Sequence, residues 1–258
     1  AFLSDYDVCK NFAQLIVDVG AANGLKTRAF TTNMDQPLGR YAGNKLEVVW
    51  AVECLNGHHS SSWFMQVVFR LAQEMIAQAD PLSTAPAYLR TLMDLRTRMN
   101  RHNAYTKFED MVRAQGGDAS YLRSFEPIND RDSSLGELAH GKYTDSIMRR
   151  LKPEGSLNAY YVTAQQHGYV TGFDLTAIGE TIRGLGAGRY TPTDMVNPDV
   201  GVIFTMGIGM PVEQGEILAV VLHDGKTGTP EAFNNYIRLS TDPPKEEPLI
   251  RAMITPSA

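Results

Sequence analysis

Side chains able to bind metals or to act as general acids and bases are few and scattered in this sequence. The imidazoles cluster only at His58 and His59, and no carboxylate stands at metal-ligand spacing beside them. Neighbouring residues on a helix point in different directions, so we expect a surface pair rather than a metal site. Asp5, Asp7 and Asp18 lie on or beside an amphipathic helix, and we expect them to form its solvated face.

Phosphate chemistry would need a cradle of donors, and the sequence offers weak candidates for one. GLGAGR at 184–189 is the nearest approach to a glycine-rich phosphate loop, but no GxGxxG or P-loop pattern occurs. Arg96, Arg98 and Arg101 form a local basic run amid Met and Leu, which favours a solvated face or an interface over phosphate binding.

The helices and strands that would position these residues are predicted from hydrophobic periodicity and from turn-forming residues. An apolar helical repeat predicts a first helix that ends within Gly20–Gly24, carried by Val8, Phe12, Leu15, Ile16 and Val19. A strand is predicted at Leu25–Asn33, followed by a turn-rich loop at Met34–Asn44. Asn44 and Glu47 stand at N-cap and N3 spacing, which predicts a capped helix to about Leu55. Strand, loop and helix in this order place the loop where α/β proteins usually bind ligands.

Three more helical stretches are predicted at 62–79, 85–99 and 104–115, the last stopped by the glycines of QGGD. An apolar stripe marks the first of them, formed by Trp63, Val67, Leu71, Met75 and Ile76. Segment 125–155 is polar and rich in turn formers, so we interpret it as a connection between subdomains.

The last third of the sequence changes character. Two short strands are predicted within LNAYYVTAQQHGYVTGF, and Asp174 is positioned to cap a helix that runs to Gly184. The apolar runs VGVIFTMG and EILAVVLH predict two further strands. A helix near Pro230–Leu239 and a strand near Pro248–Ile254 complete the chain.

Bulk properties narrow the function classes without pointing to a reaction. The net charge of -5 and pI near 5.7 leave no basic surface for nucleic acid, and no apolar run approaches the length of a membrane helix. The two cysteines, Cys9 and Cys54, have no partner at metal or redox spacing, so we expect reduced, buried thiols. We therefore expect a cytoplasmic protein without nucleic-acid or membrane partners.

Four stretches, in order and at sensible intervals, resemble the pyrimidine nucleoside phosphorylases, also called the thymidine phosphorylase family. They are AFL at the start, TTNMDQPLGRYAGNKLEV at 31–48, AQGGD at 114–118, and the run GYVTGFD, LGAGR, VNPDVGV and VEQGEILAVV. The second is the most specific. No single stretch would be convincing alone, but four in register indicate the C-terminal part of such an enzyme.

The resemblance implies a reversible phosphorolysis. Inorganic phosphate, as co-substrate, attacks the anomeric carbon of a pyrimidine (deoxy)ribonucleoside and leaves free base and pentose 1-phosphate. Charge builds on base and phosphate as the bond breaks, so donors to both are needed. In the family, the glycine-rich phosphate loop, the catalytic His and the Arg, Ser and Lys that hold the pyrimidine precede the part matched here. GLGAGR is a structural turn in that family, so we expect no catalytic residue in this chain.

Two features of the family can be carried onto residues present here. Phe2 aligns with a residue that packs against the pyrimidine, so it is a candidate wall of the base pocket, with a plain core role as the alternative. Bacterial members bind a monovalent cation through two carbonyls and a Glu. Leu38 and Tyr41 match the carbonyl positions, but Trp50 stands at the Glu position and has no oxygen to offer. This departure argues against the cation, and no other cofactor is expected.

The fold expected from the resemblance is α/β: the later part of the phosphorylase α/β domain, then an α+β, barrel-sandwich-like C-terminal domain. The predicted division is 1–125 for the first, 126–155 for a connecting segment and 156–258 for the second. The expected partners are nucleoside, phosphate and a missing N-terminal phosphorylase segment or partner chain, and homodimer formation stays open.

Three functions remain open at this point. The chain is part of a pyrimidine nucleoside phosphorylase and is inactive alone, or it is a non-catalytic relative kept as a structural or interaction subunit. Phosphorolysis of another nucleotide, such as a nucleoside monophosphate, is the third. Thymidine and uridine preference are not separated.

Overall fold

The computed structural model describes residues 3, 5–59, 62–79, 103–123, 125 and 157–257. Several sequence predictions lie outside these ranges. They concern the Phe2 side chain, the helix at 85–99, the arginine run at 96–101 and the connecting segment 126–155.

The N-terminal part begins with a long helix laid on a short strand. Helix α1 spans Tyr6–Ala22, and Asp5 caps it by accepting a hydrogen bond from the Val8 amide at 2.9 Å. Strand β1, Ala29–Thr32, lies inside the predicted strand and is shorter than predicted. Helix α1 ends at Ala22, so the predicted first helix and its end within Gly20–Gly24 are confirmed.

Four further helices lie within the described residues of this part of the chain. They are α2 (Asn44–Leu55), α3 (Trp63–Ala79), α4 (Asn103–Ala114) and α5 (Ser120–Arg123). Helix α4 stops as predicted, because Gly116 adopts the left-handed conformation with a φ of 80°.

Helix α3 does not bury the apolar stripe predicted from its sequence. Leu71, Met75 and Ile76 are exposed, whereas Met65 and Phe69 are buried. Glu74 is also buried, and its carboxylate pairs with Arg28 and Arg70. The exposed stripe is therefore an apolar surface without a partner among the described residues.

The C-terminal part is dominated by antiparallel strands. The strands that follow β1 are β2 (Tyr41–Ala42), β3 (Asn158–Thr163), β4 (Gly168–Phe173), β5 (Gly201–Phe204), β6 (Pro211–Val212), β7 (Ile217–His223), β8 (Ile237–Ser240) and β9 (Ile250–Ile254). A four-stranded sheet has the order β2-β5-β7-β3, a three-stranded sheet has the order β6-β4-β8, and β1 pairs with β9. All of their described pairings are antiparallel.

Strands from the beginning of the chain pair with strands from its end. Tyr41 of β2 stands opposite Ile203 of β5, and Phe30 of β1 stands opposite Met253 of β9. Both parts of the chain therefore share sheets rather than meeting only through side chains.

Two hydrophobic cores lie on opposite faces of the four-stranded sheet. Side chains alternate along a strand, so Ile203, Val220 and Leu222 join the core under α2 and α3. Phe204 and Val221 join the core on the other face, which lies under helix α6 (Leu175–Ile182). The apolar runs predicted as strands are buried on both faces for this reason.

Helix α6, Leu175–Ile182, is capped as predicted by the Asp174 carboxylate, which accepts from the Ala177 amide at 3.0 Å. It continues into a wider turn at Arg183–Ala187. The predicted helix at Pro230–Leu239 is wrong in its second half. A 3-10 helix covers Pro230–Asn235, and Ile237–Ser240 is strand β8, because it pairs with β4.

The architecture is a mixed α/β fold with several antiparallel sheets, which confirms the predicted class at that level. Within the described ranges, no helix has the combination of length and hydrophobicity needed to cross a bilayer.

Candidate functional site

The signature loop at 34–43 forms one wall of a cleft of about 640 Å³. The opposite wall is the end of α6 and the glycine-rich turn after it, including Ile182, Arg183 and Gly188. Leu38, Tyr41 and Trp50, which the sequence singled out, all line this cleft. The structure therefore brings these three together and sets them beside the glycine-rich turn.

Hydrogen bonds from three directions fix the loop in place. The Asn33 side chain accepts from the Asp35 amide at 2.8 Å, a local turn typical of Asn. The Gln36 side chain is buried and accepts from the Ile208 amide at 2.8 Å. The Arg40 carbonyl accepts from the Phe204 amide at 2.7 Å. The loop is thus held by the C-terminal sheet as well as by its own turn.

The start of α2 differs from the predicted side-chain cap at Asn44. Gly43 is the N-cap, with a φ of 138°, and its amide donates to the Glu47 carboxylate at 3.3 Å. A Cβ on Gly43 would lie 2.6 Å from the Val200 carbonyl, so only glycine allows this approach. Asn44 instead donates from its side chain to the Ala187 carbonyl at 2.7 Å.

The glycine-rich turn at 184–189 is tied down through its carbonyls. Thr227 donates to the Leu185 carbonyl at 3.0 Å, and the Asn197 amide donates to the Gly186 carbonyl at 2.8 Å. With the Asn44 contact, three successive carbonyls of the turn accept hydrogen bonds from three separate segments. An anion cradle would present amide donors instead, so this geometry supports a structural turn.

Few of the described residues at the cleft carry a charge. Glu47 and Arg183 line it, and Glu47 is engaged with the Gly43 amide. The Arg183 guanidinium lies 4.1 Å from the centre of the Tyr190 ring and pairs with Glu180. In the part of the chain that the structure describes, no group of three or more His, Cys, Asp or Glu residues is arranged to hold a metal ion.

The Leu38, Tyr41 and Trp50 positions fit a monovalent cation poorly. Trp50 is 5% exposed, and a Cβ placed on Gly39 would lie 3.0 Å from its indole Nε1. The indole edge therefore lies against the loop at the position where the resemblance expects a carboxylate. An indole N–H is a donor without an acceptor atom, so residue 50 offers a cation no ligand.

The sequence analysis did not predict that His59 contacts other residues beside the cleft. Its Nε2 lies 2.9 Å from a Glu53 carboxylate oxygen, and its ring stacks on Trp50 with centroids 4.2 Å apart. The expectation of a surface pair without a nearby carboxylate is wrong for His59. The signal was present, because the Asn56–Gly57 pair ends α2 and reverses the chain.

The pKa of one thiol on α2, that of Cys54, is shifted by burial. Burial, and secondarily the charge of Glu53, raises the pKa of Cys54 to about 12. Cys54 is 2% exposed and Cys9 on α1 is half-buried, and neither forms a disulfide.

Comparison with known proteins gives a consistent result. A family model described as the pyrimidine nucleoside phosphorylase C-terminal domain matches residues 169–239. Thymidine phosphorylase of Colwellia psychrerythraea is 32% identical over 254 residues, which are 97% of this chain and 52% of that protein. The chain matches the C-terminal part of the pyrimidine nucleoside phosphorylase family. The resemblance inferred from the sequence is thereby confirmed.

Other phosphorylases give similar coverage. Pyrimidine-nucleoside phosphorylase of Geobacillus stearothermophilus is 27% identical over 252 residues, covering 97% of this chain and 52% of the relative. Thymidine phosphorylase of Sinorhizobium fredii is 28% identical over 259 residues, covering 99% and 53%. The chain spans about half the length of the curated relatives that it matches.

Proposed function

We propose that this chain contributes to phosphorolysis of pyrimidine (deoxy)ribonucleosides as the C-terminal part of a phosphorylase. Phosphate would attack the anomeric carbon as the base departs, giving free base and pentose 1-phosphate. The observation that carries the proposal is the match of 97% of the chain to proteins named thymidine or pyrimidine-nucleoside phosphorylase.

The geometry supports a scaffold role for this chain within such an enzyme. The signature loop at 34–43 and the glycine-rich turn face each other across the cleft. The carbonyls of that turn are committed to protein donors. An anion cradle and the donors to the base would therefore come from an N-terminal phosphorylase segment, which makes this chain inactive alone.

The exposed stripe of helix α1 supports a missing covering segment. Its members are exposed by about half: Val8 52%, Phe12 53%, Leu15 58%, Ile16 47% and Val19 54%. The opposite side of α1 packs on β1 and β9, which form only a two-stranded sheet among the described residues. A two-stranded sheet is only marginally stable by itself. An exposed apolar face such as that of α1 is typical of a surface that binds a partner. We propose that the N-terminal segment covers this face.

The finer fold description is part of the same proposal. Residues 1–125 would be the later part of the phosphorylase α/β domain, 126–155 the connection and 156–258 a barrel-sandwich-like C-terminal domain. The family-model match at 169–239 falls inside the last of these ranges.

A non-catalytic role is the second candidate, and Trp50 is the observation that favours it. An aromatic ring stands where bacterial members carry a cation-binding Glu, so the site beside the signature loop has changed its chemistry. Such a chain would keep the scaffold and its interfaces without turnover.

The test is phosphate-dependent release of thymine or uracil by the purified chain, alone and with the N-terminal segment of a relative added. We expect no turnover alone and phosphate-dependent turnover after addition. Turnover by the chain alone would mean that it builds its own anion site and would overturn our account. Absence of turnover in both conditions, with the two segments shown to associate, would favour the non-catalytic relative.

A further inference from the structure

Trp50 is the centre of an aromatic stack beside the signature loop. The Tyr41 ring meets the Trp50 ring edge-on, with centroids 5.3 Å apart and an interplanar angle of 72°. On the other side, His59 stacks on the indole at 4.2 Å and 18°. Both Tyr41 and Trp50 are buried. Tyr41 belongs to the loop's own strand β2, so the stack joins the loop to helix α2.

The stack is supported from behind by a carboxylate. Glu53, one turn after Trp50 on α2, is buried and contacts His59 Nε2 at 2.9 Å. His59 has a φ of 57°, a left-handed conformation that side chains other than those of Gly, Asn and Asp rarely adopt. The contacts to Glu53 and Trp50 hold the residue in this conformation, which places its ring over the indole.

The edge of the Trp50 indole also lies against the loop, beside Gly39. Nε1 lies 3.0 Å from the position that a Cβ on Gly39 would take. It is buried and has no hydrogen-bond acceptor among the described residues. A carboxylate at this position would attract a cation, whereas the indole N–H directs positive partial charge toward the loop.

We propose that the Tyr41–Trp50–His59 stack holds the loop at 34–43 on helix α2 in place of a monovalent cation. The order of the loop then depends on packing and is independent of potassium or sodium. This inference goes beyond the proposed phosphorolysis, because it concerns how the loop is held and requires no turnover.

The first test is hydrogen exchange of peptides covering 34–43 in the full chain. Exchange is compared in potassium chloride, sodium chloride and choline chloride at one ionic strength. We expect the same exchange rates in all three salts. Slower exchange in potassium or sodium than in choline would overturn the proposal, because a cation would then be holding the loop.

The second test removes the stack while preserving the backbone. His59→Asn keeps a side chain that tolerates the left-handed conformation but cannot stack on the indole. We expect the loop to exchange about two- to tenfold faster, the factor equivalent to one lost aromatic pair. His167→Asn is the control, since it makes the same substitution at an exposed histidine between β3 and β4, and it should leave the loop unchanged.

Unaltered loop exchange in His59→Asn would also overturn the proposal. Should that variant fail to fold, Trp50 fluorescence provides an independent measurement. The chain has two tryptophans, so Trp63→Phe leaves Trp50 as the sole tryptophan, whose emission is selected by exciting above the absorption of tyrosine. We expect acrylamide to quench its emission poorly in all three salts. Strong quenching in choline that potassium relieves would contradict the inference.

Discussion

Lys45 donates a hydrogen bond from its Nζ to the Asp199 carboxylate at 2.7 Å, and both side chains are about 7% exposed. Lys45 lies in the first turn of α2 and Asp199 just before β5, so this ion pair fastens helix α2 to the C-terminal sheet. Burial alone would lower the pKa of Lys45, but hydrogen bonds with Asp199 and Tyr121 outweigh it and raise the pKa above 10.5. The lysine therefore stays charged at neutral pH.

Lys45→Ala should destabilise the chain by about 3–5 kcal/mol, because it leaves Asp199 buried without its counter-charge. Urea unfolding at neutral pH measures the difference, and Lys107→Ala, at an exposed position of α4, is the control with little effect. Since the folded pKa of Lys45 is raised, the stability that the pair contributes is complete below pH 10.5 and is lost as the pH rises beyond it. Equal stability of the two variants at neutral pH would show that the pair contributes nothing.

Gly43→Ala tests the close approach at the start of α2. Alanine would have to adopt a φ of 138° and place its Cβ 2.6 Å from the Val200 carbonyl. Gly116→Ala is the matched control, because Gly116 has a φ of 80° and open space around it. The control should lose about 1–2 kcal/mol through the backbone alone. Gly43→Ala should lose about 1–3 kcal/mol more through the clash, and equal losses in thermal unfolding would rule the clash out.

Cys54 should be inert toward thiol reagents in the native chain. With its pKa raised to about 12, its thiolate fraction at pH 8 is about one in ten thousand. A chromogenic disulfide should therefore modify only the half-buried Cys9 quickly, and both thiols after denaturation. In Cys9→Ser the native reaction should disappear, and rapid labelling of that variant would contradict the burial of Cys54.

The apolar stripe of α1 should make the isolated chain self-associate. Leu15→Lys places a charge in the middle of the stripe, so it should lower the apparent mass measured by light scattering at high protein concentration. Asn11→Lys adds the same residue to an exposed polar position of the same helix and should change little. If the wild-type chain stays monomeric at high concentration, the apolar stripe of α1 does not mediate self-association.

Local sequence predicted those elements whose ends are decided locally. Asp174 caps α6 and Gly116 ends α4 as their residue types indicate, because each interaction lies within a few residues. The cap of α2 could not be predicted in the same way. Glycine at position 43 is selected by the approach of Val200, more than 150 residues later, and no local pattern records that contact.

The remaining errors have the same physical origin. Ile237–Ser240 has residues that suit a helix or a strand, and its pairing with β4 decides between them. The apolar stripe of α3 was identified correctly as a pattern, yet Met75 is 72% exposed. A periodic pattern reveals which face is apolar but not which segment covers it.

The pairing of β1 with β9 also determines how late during synthesis strand β1 can acquire this partner. Thr31 stands opposite Ala252, so the two partners leave the ribosome more than 200 residues apart. Strand β1 therefore lacks this partner until the residues of β9 have been translated. A nascent chain stopped shortly before residue 250 would leave β1 without this partner and expose it to chaperones and to other nascent chains.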